Sequence, residues 1–348
     1  MINTLYECFF SSNFKVKPYI ELGEAMKILL SLSILISLYS NNLKISNNSS
    51  YCVMCINDQQ VLDAYNQEYT QSVASISKVM TAILAIENGE LEDKIKIDKI
   101  IYEAIGSSIY LKENEIYTLK DLLYGLMLRS GNDAALVIAK HVGGNLDLFV
   151  KMMNEKAKEI GMKSTVFKNP SGLDEIDGGN ISNSCDMASL MAYAMKNKTF
   201  REIVKTKSYT LNNGVVWINK NKFLFDYKYA TGGKTGYTKL AKRTLITTSK
   251  KDNMEVVAVS LNMNDDYNQH INMHEWAYNH YDIIQILKKG IYHYKNKIIH
   301  IDEDLFHSIN KEKHDSIQIQ TNLNENTLNI STSYKNNKTD RSYEVSYE

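Results

Sequence analysis

Apolar residues at Val79, Met80, Ile83, Leu84 and Ile86 recur with a period close to 3.6, and Gly89 follows as a stop. The spacing predicts a buried helix with Ser75 at its N-terminal end. Upstream, Tyr51–Ile56 and Gln60–Ala64 flank Asn57-Asp58 as a hairpin. Residues 91–117 read as short strands and loops. Thr118-Leu119-Lys120-Asp121 has the form of a capping box and opens a helix through Leu128. Arg129-Ser130-Gly131-Asn132 interrupts it, and Asn132 or Asp133 can cap a second helix ending at Gly143-Gly144. Leu146–Ile160 is amphipathic and stops at Gly161, and Ser184 can cap a helix to Lys196. Asn212-Asn213-Gly214 joins Tyr209–Leu211 to Val215–Ile218 as a hairpin. Arg243–Ser249 and Glu255–Leu261 pair around Lys251-Asp252-Asn253, and a helix is expected from about Tyr267 to Lys288. Strands, a helical cluster and strands again indicate an α/β fold with an antiparallel sheet.

From Gly290 the chain turns to short alternating strands with Asn-rich turns, which read as a small β-rich domain over 289–348. A working domain then occupies residues 48–288, and 1–47 form an N-terminal extension. Within that extension Ile28 to Tyr39 is a run of apolar and serine residues preceded by Met26-Lys27. Such a run is short for a membrane span and suits the core of a signal peptide or an N-terminal anchor. Residues 1–25 are unusual in front of it, which points to Met26 as the start. Either form places the working domain outside the cytoplasm.

Composition narrows the function by exclusion. Lys+Arg and Asp+Glu balance at 40 each, so no bulk positive field recruits nucleic acid. Four cysteines are too few for a disulfide framework. Cys52 and Cys55 fall on opposite faces of the first strand and read as small core residues, with a disulfide or metal as the lesser alternative.

The chemistry gathers around Ser75 and Lys78, three apart on one helix face. A serine hydroxyl becomes a nucleophile when a nearby base takes its proton, and a lysine can be that base if burial or another cation lowers its pKa. Ser130 and Asn132 sit on a helix–helix connection. Lys234-Thr235-Gly236 precedes a hairpin of the same sheet. A nucleophile, a base, a proton relay and an anion anchor are the parts that acyl transfer needs.

In that order, Ser75-x-x-Lys78, Ser130-Gly131-Asn132 and Lys234-Thr235-Gly236 resemble the three motifs of penicillin-binding proteins and serine β-lactamases. The flanks extend the likeness: Ala74 to Thr81, Leu128 to Ala135, Asn169-Pro170-Ser171-Gly172-Leu173 and Gly232 to Thr238. They are similar to the low-molecular-weight D-alanyl-D-alanine carboxypeptidases, serine peptidases of the S11 type, over about residues 50–285. The resemblance implies a penicillin-binding-protein/β-lactamase-like domain followed by a small β-rich one, acting without a cofactor or metal. It implies that Ser75 attacks the penultimate D-alanine of a peptidoglycan stem peptide, that Lys78 takes its proton, and that Ser130 relays a proton to the leaving nitrogen. Asn132 would bind the substrate backbone, and Lys234 and Thr235 its terminal carboxylate. Gly236 would allow close approach, and the N–H groups of Ser75 and Tyr237 would form the oxyanion hole. β-Lactams would acylate Ser75 as substrate mimics.

Two other functions share these residues. A β-lactamase of the large class that uses a glutamate-held water has Ser-Asp-Asn where this chain has Ser130-Gly131-Asn132. Only Glu175 offers a counterpart of that glutamate. A non-catalytic penicillin-binding wall module would not need the full set. Elsewhere His270 and His274, with Glu275 beside them, read as exposed helix residues and not as a metal site. His141 reads as a helix-end dipole contact. Arg243 reads as a salt-bridge residue with carboxylate binding as the lesser alternative, and Asp174 to Asn183 as a polar border of the cleft.

Overall fold

A computed structural model describes residues 48–175, 178–294, 297–301, 303–311, 318–323, 327–334 and 337–347. The hydrophobic run at 28–39, the Met26 start and the rest of 1–47 lie outside the described residues. No helix among those described is long and apolar enough to cross a membrane.

The central sheet has five antiparallel strands: β1 (Ser50–Cys55), β2 (Val61–Tyr65), β3 (Ala230–Thr238), β4 (Lys242–Lys251) and β5 (Met254–Leu261), in the order β2-β1-β5-β4-β3. Both faces are covered, and the period-two alternation sorts the side chains between them. Cys52, Met54, Ile246, Val257 and Val259 enter the large core with the helical cluster. Tyr51, Val53, Cys55, Val256 and Ala258 pack on the other side with Met273, Ala277 and Tyr278 of the last helix.

The helical cluster begins with α1 (Lys78–Asn88), whose residues from Lys78 through Ala85 are all buried. Next come α2 (Leu119–Arg129), α3 (Asn132–Gly143), α4 (Leu146–Ile160), α5 (Ser184–Ala194) and α6 (Lys198–Lys205). The capping box at α2 is complete: Thr118 Oγ1 accepts from Asp121 N at 3.0 Å, and Asp121 Oδ2 accepts from Thr118 N at 3.0 Å. Such caps stabilise a helix by about 1 kcal/mol. At α5 the cap is Asn183, accepting from Asp186 N, and not Ser184. At α3 the N-cap is Gly131 with no side-chain cap bond, so neither Asn132 nor Asp133 serves as expected.

Two further expectations change. The helix expected to run to Lys288 is α7 (Asp266–His280), and the chain leaves it as a strand, Tyr281–Leu287, paired antiparallel with Leu305–Asn310. That strand is followed by a second five-stranded antiparallel sheet built from residues 290–347. Cys52 is not an isolated core thiol. It is disulfide-bonded to Cys185 in the first turn of α5, with a Cα–Cα distance of 5.3 Å, while Cys55 is free and buried. The pairing fastens the sheet to α5 across 133 residues of chain. A partner so distant carries no local spacing signal.

Candidate active site

The chain enters α1 through a 3₁₀ turn, Ala74–Ser77. One turn of helix separates Ser75 from Lys78, so their side chains meet: Lys78 Nζ lies 2.9 Å from Ser75 Oγ. Ser75 is half-buried, whereas Lys78 is fully buried beneath it. A buried amine needs hydrogen-bond partners whatever its charge. Lys78 Nζ finds Asn132 Oδ1 at 2.7 Å and the carbonyl of Ser171.

The second wall is the break between α2 and α3. Ser130 adopts a left-handed backbone conformation (φ 64°), which turns the chain sharply so that Asn132 starts the next helix. The neighbouring 105–111 loop anchors this corner. Asn132 N donates to Ser107 O at 2.7 Å, and Asn132 Nδ2 donates to Ile105 O. Asp133, buried under the corner, accepts from Ser108 Oγ at 2.5 Å, Ile109 N at 3.1 Å and Leu111 N at 3.1 Å. The residue expected to cap α3 therefore holds the adjacent loop.

The third wall is β3, the edge strand of the sheet. Lys234 stands opposite Ile246 and so shares the face of the helical cluster. It is buried, with Nζ donating to Ser130 Oγ at 3.0 Å and to Thr235 O at 2.7 Å. Two residues on, a methyl group at Gly236 would collide with Thr244 Oγ1 of β4 and stand 3.0 Å from Ser75 N and 3.2 Å from Ala74 Cβ. Close approach of strand to nucleophile thus requires glycine there. Thr235 is half-buried and Tyr237 exposed beside it.

Burial pushes Lys78 well below the ordinary lysine value, and Lys234 lowers it further, against an opposing pull from Asp133. Lys234 is itself lowered to about 7, by burial first and then by Lys220. Desolvation disfavours the charged amine and a second cation adds repulsion. Lys220, whose N–H donates to Leu128 O at 3.0 Å, was not anticipated from the sequence. It carries no motif and acts only through nearness.

The turn at 169–172 completes the site from behind. Gly172 has φ +77°, and any side chain there would collide with Ala74 O. Thr81 Oγ1 donates to Pro170 O at 2.6 Å, and Ser171 O accepts from Lys78. This contact was also missed, because a backbone carbonyl leaves no residue-type signal.

The remaining candidates separate cleanly. Arg243 pairs with Asp266 at 2.6 Å, as a structural salt bridge. His141 Nε2 lies 3.0 Å from Asp93 Oδ2 in the last turn of α3. His270 and His274 are not exposed: both are wholly buried between α7 and the sheet. Their apparent polarity on a helix is answered by Thr247, Ser249 and Ser260 on the facing strands. No group of three metal-ligating side chains occurs among the described residues. Asp174, expected to border the cleft, ties the turn to the end of β3, accepting from Thr238 Oγ1 at 2.8 Å and Ser72 Oγ at 3.1 Å.

The family model described as D-alanyl-D-alanine carboxypeptidase matches residues 40–265. The D-alanyl-D-alanine carboxypeptidase DacF of Bacillus subtilis is 36% identical over 209 residues, which are 58% of this chain and 53% of that protein's length. The crystal structure of a D-alanyl-D-alanine carboxypeptidase from Mycobacterium tuberculosis superposes with a TM-score of 0.64 at 29% identity, covering 69% of this chain and 95% of that one. Penicillin-binding protein 5 of Haemophilus influenzae shares the fold, with a TM-score of 0.72 at 23% identity over 86% of this chain and 95% of its own.

Proposed function

Because the chain belongs to the D-alanyl-D-alanine carboxypeptidase family, we propose that it removes the terminal D-alanine from peptidoglycan stem peptides through an acyl-enzyme on Ser75. The observation that carries this reading is the set of partners around Lys78 Nζ. Burial favours the neutral amine. In that state two N–H bonds would serve Asn132 Oδ1 and Ser171 O, which leaves the lone pair for the Ser75 hydroxyl, 2.9 Å away. That is the arrangement of a general base on a serine nucleophile.

Ser75 Oγ attacks the carbonyl carbon of the penultimate D-alanine while its proton passes to Lys78. The resulting oxyanion is held by the N–H groups of Ser75 and Tyr237. The C–N bond breaks as Ser130 Oγ hands a proton to the leaving nitrogen, and D-alanine departs. Water then cleaves the ester and restores Ser75. Ser130 recovers the proton that Lys78 took from Ser75, so Lys78 is neutral again before water attacks, and Lys234, 3.0 Å from Ser130 Oγ, keeps its own charge. Lys234 has no ion pair among the described residues, which suits it, with Thr235, to receive the terminal carboxylate. Asn132, whose Oδ1 accepts from Lys78 and whose Nδ2 donates to Ile105 O, would bind the substrate backbone through its remaining amide N–H. β-Lactams, presenting a carboxylate and a strained amide, acylate the same serine. The enzyme works outside the cytoplasmic membrane, where its substrate lies, with the N-terminal hydrophobic segment as its export signal or tether.

A β-lactamase would need a carboxylate directing water onto the ester. Glu175 is exposed and accepts from Asn169 Nδ2 at 2.6 Å, which supports the peptidase reading. The test is D-alanine release from a diacyl-D-Ala-D-Ala peptide, run beside β-lactam turnover, with a penicilloyl adduct mapped by mass spectrometry. Wild type should release D-alanine and carry the adduct on Ser75, and Ser75→Ala should do neither. Rapid β-lactam hydrolysis without D-alanine release would overturn the assignment in favour of a lactamase, and neither activity in favour of a binding module.

A further inference from the structure

One side chain organises the turn behind the reacting pair. Asn169 Oδ1 accepts from Ser171 N at 3.2 Å, Ser171 Oγ at 3.1 Å, Gly172 N at 2.7 Å and Leu173 N at 3.2 Å. Its Nδ2 donates to Leu173 O at 3.0 Å and Glu175 Oε1 at 2.6 Å. Asn180 secures the preceding backbone, accepting from Lys168 N at 2.7 Å and Asn169 N at 3.0 Å and donating to Asn169 O at 2.9 Å. Thr81, one helical turn along from Lys78, holds Pro170 O at 2.6 Å. What these bonds determine is the place of a single carbonyl. Ser171 O accepts from Lys78 and lies 3.4 Å from Ser75 Oγ.

We propose that Asn169 is a positioning residue for acyl transfer: it fixes the Ser171 carbonyl so that the Lys78 lone pair points at Ser75 Oγ and water is kept out from behind. This rests on the reading of Lys78 as general base. An amine on a four-carbon stem rotates freely unless its N–H bonds are engaged. Asn132 Oδ1 engages one, and Ser171 O is the second acceptor. If the turn relaxes, the lone pair loses its direction and solvent reaches the nitrogen.

The second consequence can be read as a pH profile. The charged groups acting on Lys78 are Lys234 from β3, Lys220 from the segment before β3, and Asp133 from α3. The turn itself brings no charge to Lys78, since Glu175 is exposed and held by Asn169 Nδ2. Burial is the largest cause of the depressed lysine, so admitting water raises its pKa. The pH at which acylation reaches half its maximum should then move upward.

The experiment measures the rate of acylation by a fluorescent penicillin against pH for the full chain, as wild type, Asn169→Ala, Asn169→Asp and Thr81→Val. Asn169→Ala should slow acylation by about 10²-fold, the usual cost of ångström-scale misplacement, with an upward-shifted midpoint and unchanged initial binding. Asn169→Asp exchanges the donor for a second carboxylate against Glu175, so it should also be slower than wild type, and the midpoint is read from Asn169→Ala and Thr81→Val, which add no charge. Thr81→Val removes a different bond to the same turn and should shift the midpoint in the same direction by less, so the idea is testable even if Asn169→Ala does not fold. Folded variants with wild-type rates, or with an unchanged or lowered midpoint, overturn the proposal. A wild type that is never acylated would instead remove the functional reading beneath it.

Discussion

Two pairs of buried bases lie on opposite faces of one strand. Ile246 of β4 faces the side of Lys78 and Lys234, and its neighbour Thr247 faces His270 and His274. Burial lowers all four: Lys78 and His270 strongly, Lys234 to about 7 and His274 to about 3. The difference is in what surrounds them. Among the histidines every ring nitrogen meets a hydroxyl: Thr247 at 2.7 and 2.8 Å, Ser249 at 2.7 Å and Ser260 at 2.8 Å. The Tyr278 hydroxyl closes the chain at 2.6 Å from Ser249 Oγ. Hydroxyls can donate or accept, so the rings stay neutral and nothing faces the solvent. On the lysine side the base meets a hydroxyl that is half-buried and open to the cleft. A perturbed pKa marks a site only when the group's partner can reach a substrate.

The largest effect should separate the pairs outright. Lys78→Met keeps the length and apolar packing of the side chain and removes the base, so acylation by penicillin should fall about 10³-fold or more while the protein stays folded. A small loss, measured as adduct formed per minute, would return Lys78 to the structural class. Next, Lys234→Ala should lower kcat/KM for peptides ending in a free carboxylate by about 10- to 100-fold, the worth of a charged hydrogen bond. C-terminally amidated peptides, already poor, should lose little more. In wild type, Lys234 sheds its charge as pH rises through about 7, so kcat/KM for acid substrates should decline there and that for amides should not. Equal losses on the two substrates would deny Lys234 the anchoring role.

The smallest effect belongs to the histidines and should appear in stability alone. His274→Phe leaves hydroxyls of Thr247 and Ser249 short of a partner and should cost about 1–3 kcal/mol in urea unfolding, with acylation per folded molecule unchanged. The folded pKa of His274 is depressed, so its contribution is complete above the unfolded value near 6.5 and is lost as pH falls from there toward about 3. The stability of wild type should therefore drop more steeply with acid than that of the variant, by up to about 1.4 kcal/mol per pH unit. Altered acylation in the variant would tie the two faces together.

The helices were legible because their signals are local: α4 runs from Leu146 to Ile160 as its periodicity and Gly161 imply, and the box at Thr118 caps as written. The three motifs were legible because side-chain type carries the chemistry. What stayed hidden lies between segments distant in sequence. His270 and His274 read as exposed because α7 alone does not reveal that its polar stripe meets Thr247, Ser249 and Ser260. Cys185 gives no hint of Cys52 from within a helix. Asp133 looks like a cap in isolation, and only the folded loop turns its carboxylate to Ser108, Ile109 and Leu111. The end of α7 was misplaced because Tyr281–Leu287 keeps an apolar content that a helix or a strand could use, and pairing with Leu305–Asn310 decides it.

An unpaired sheet margin is ordinarily where like chains zip together into fibres. Here the outermost strand, β3, is the one against which the Ala74–Ser75 turn rests, at the distance Gly236 allows. The turn lies on the helical-cluster face that Gly236 shares with Lys234 and leaves the outer margin of β3 unpaired among the described strands, so an extended peptide that paired there would lie beside the nucleophile.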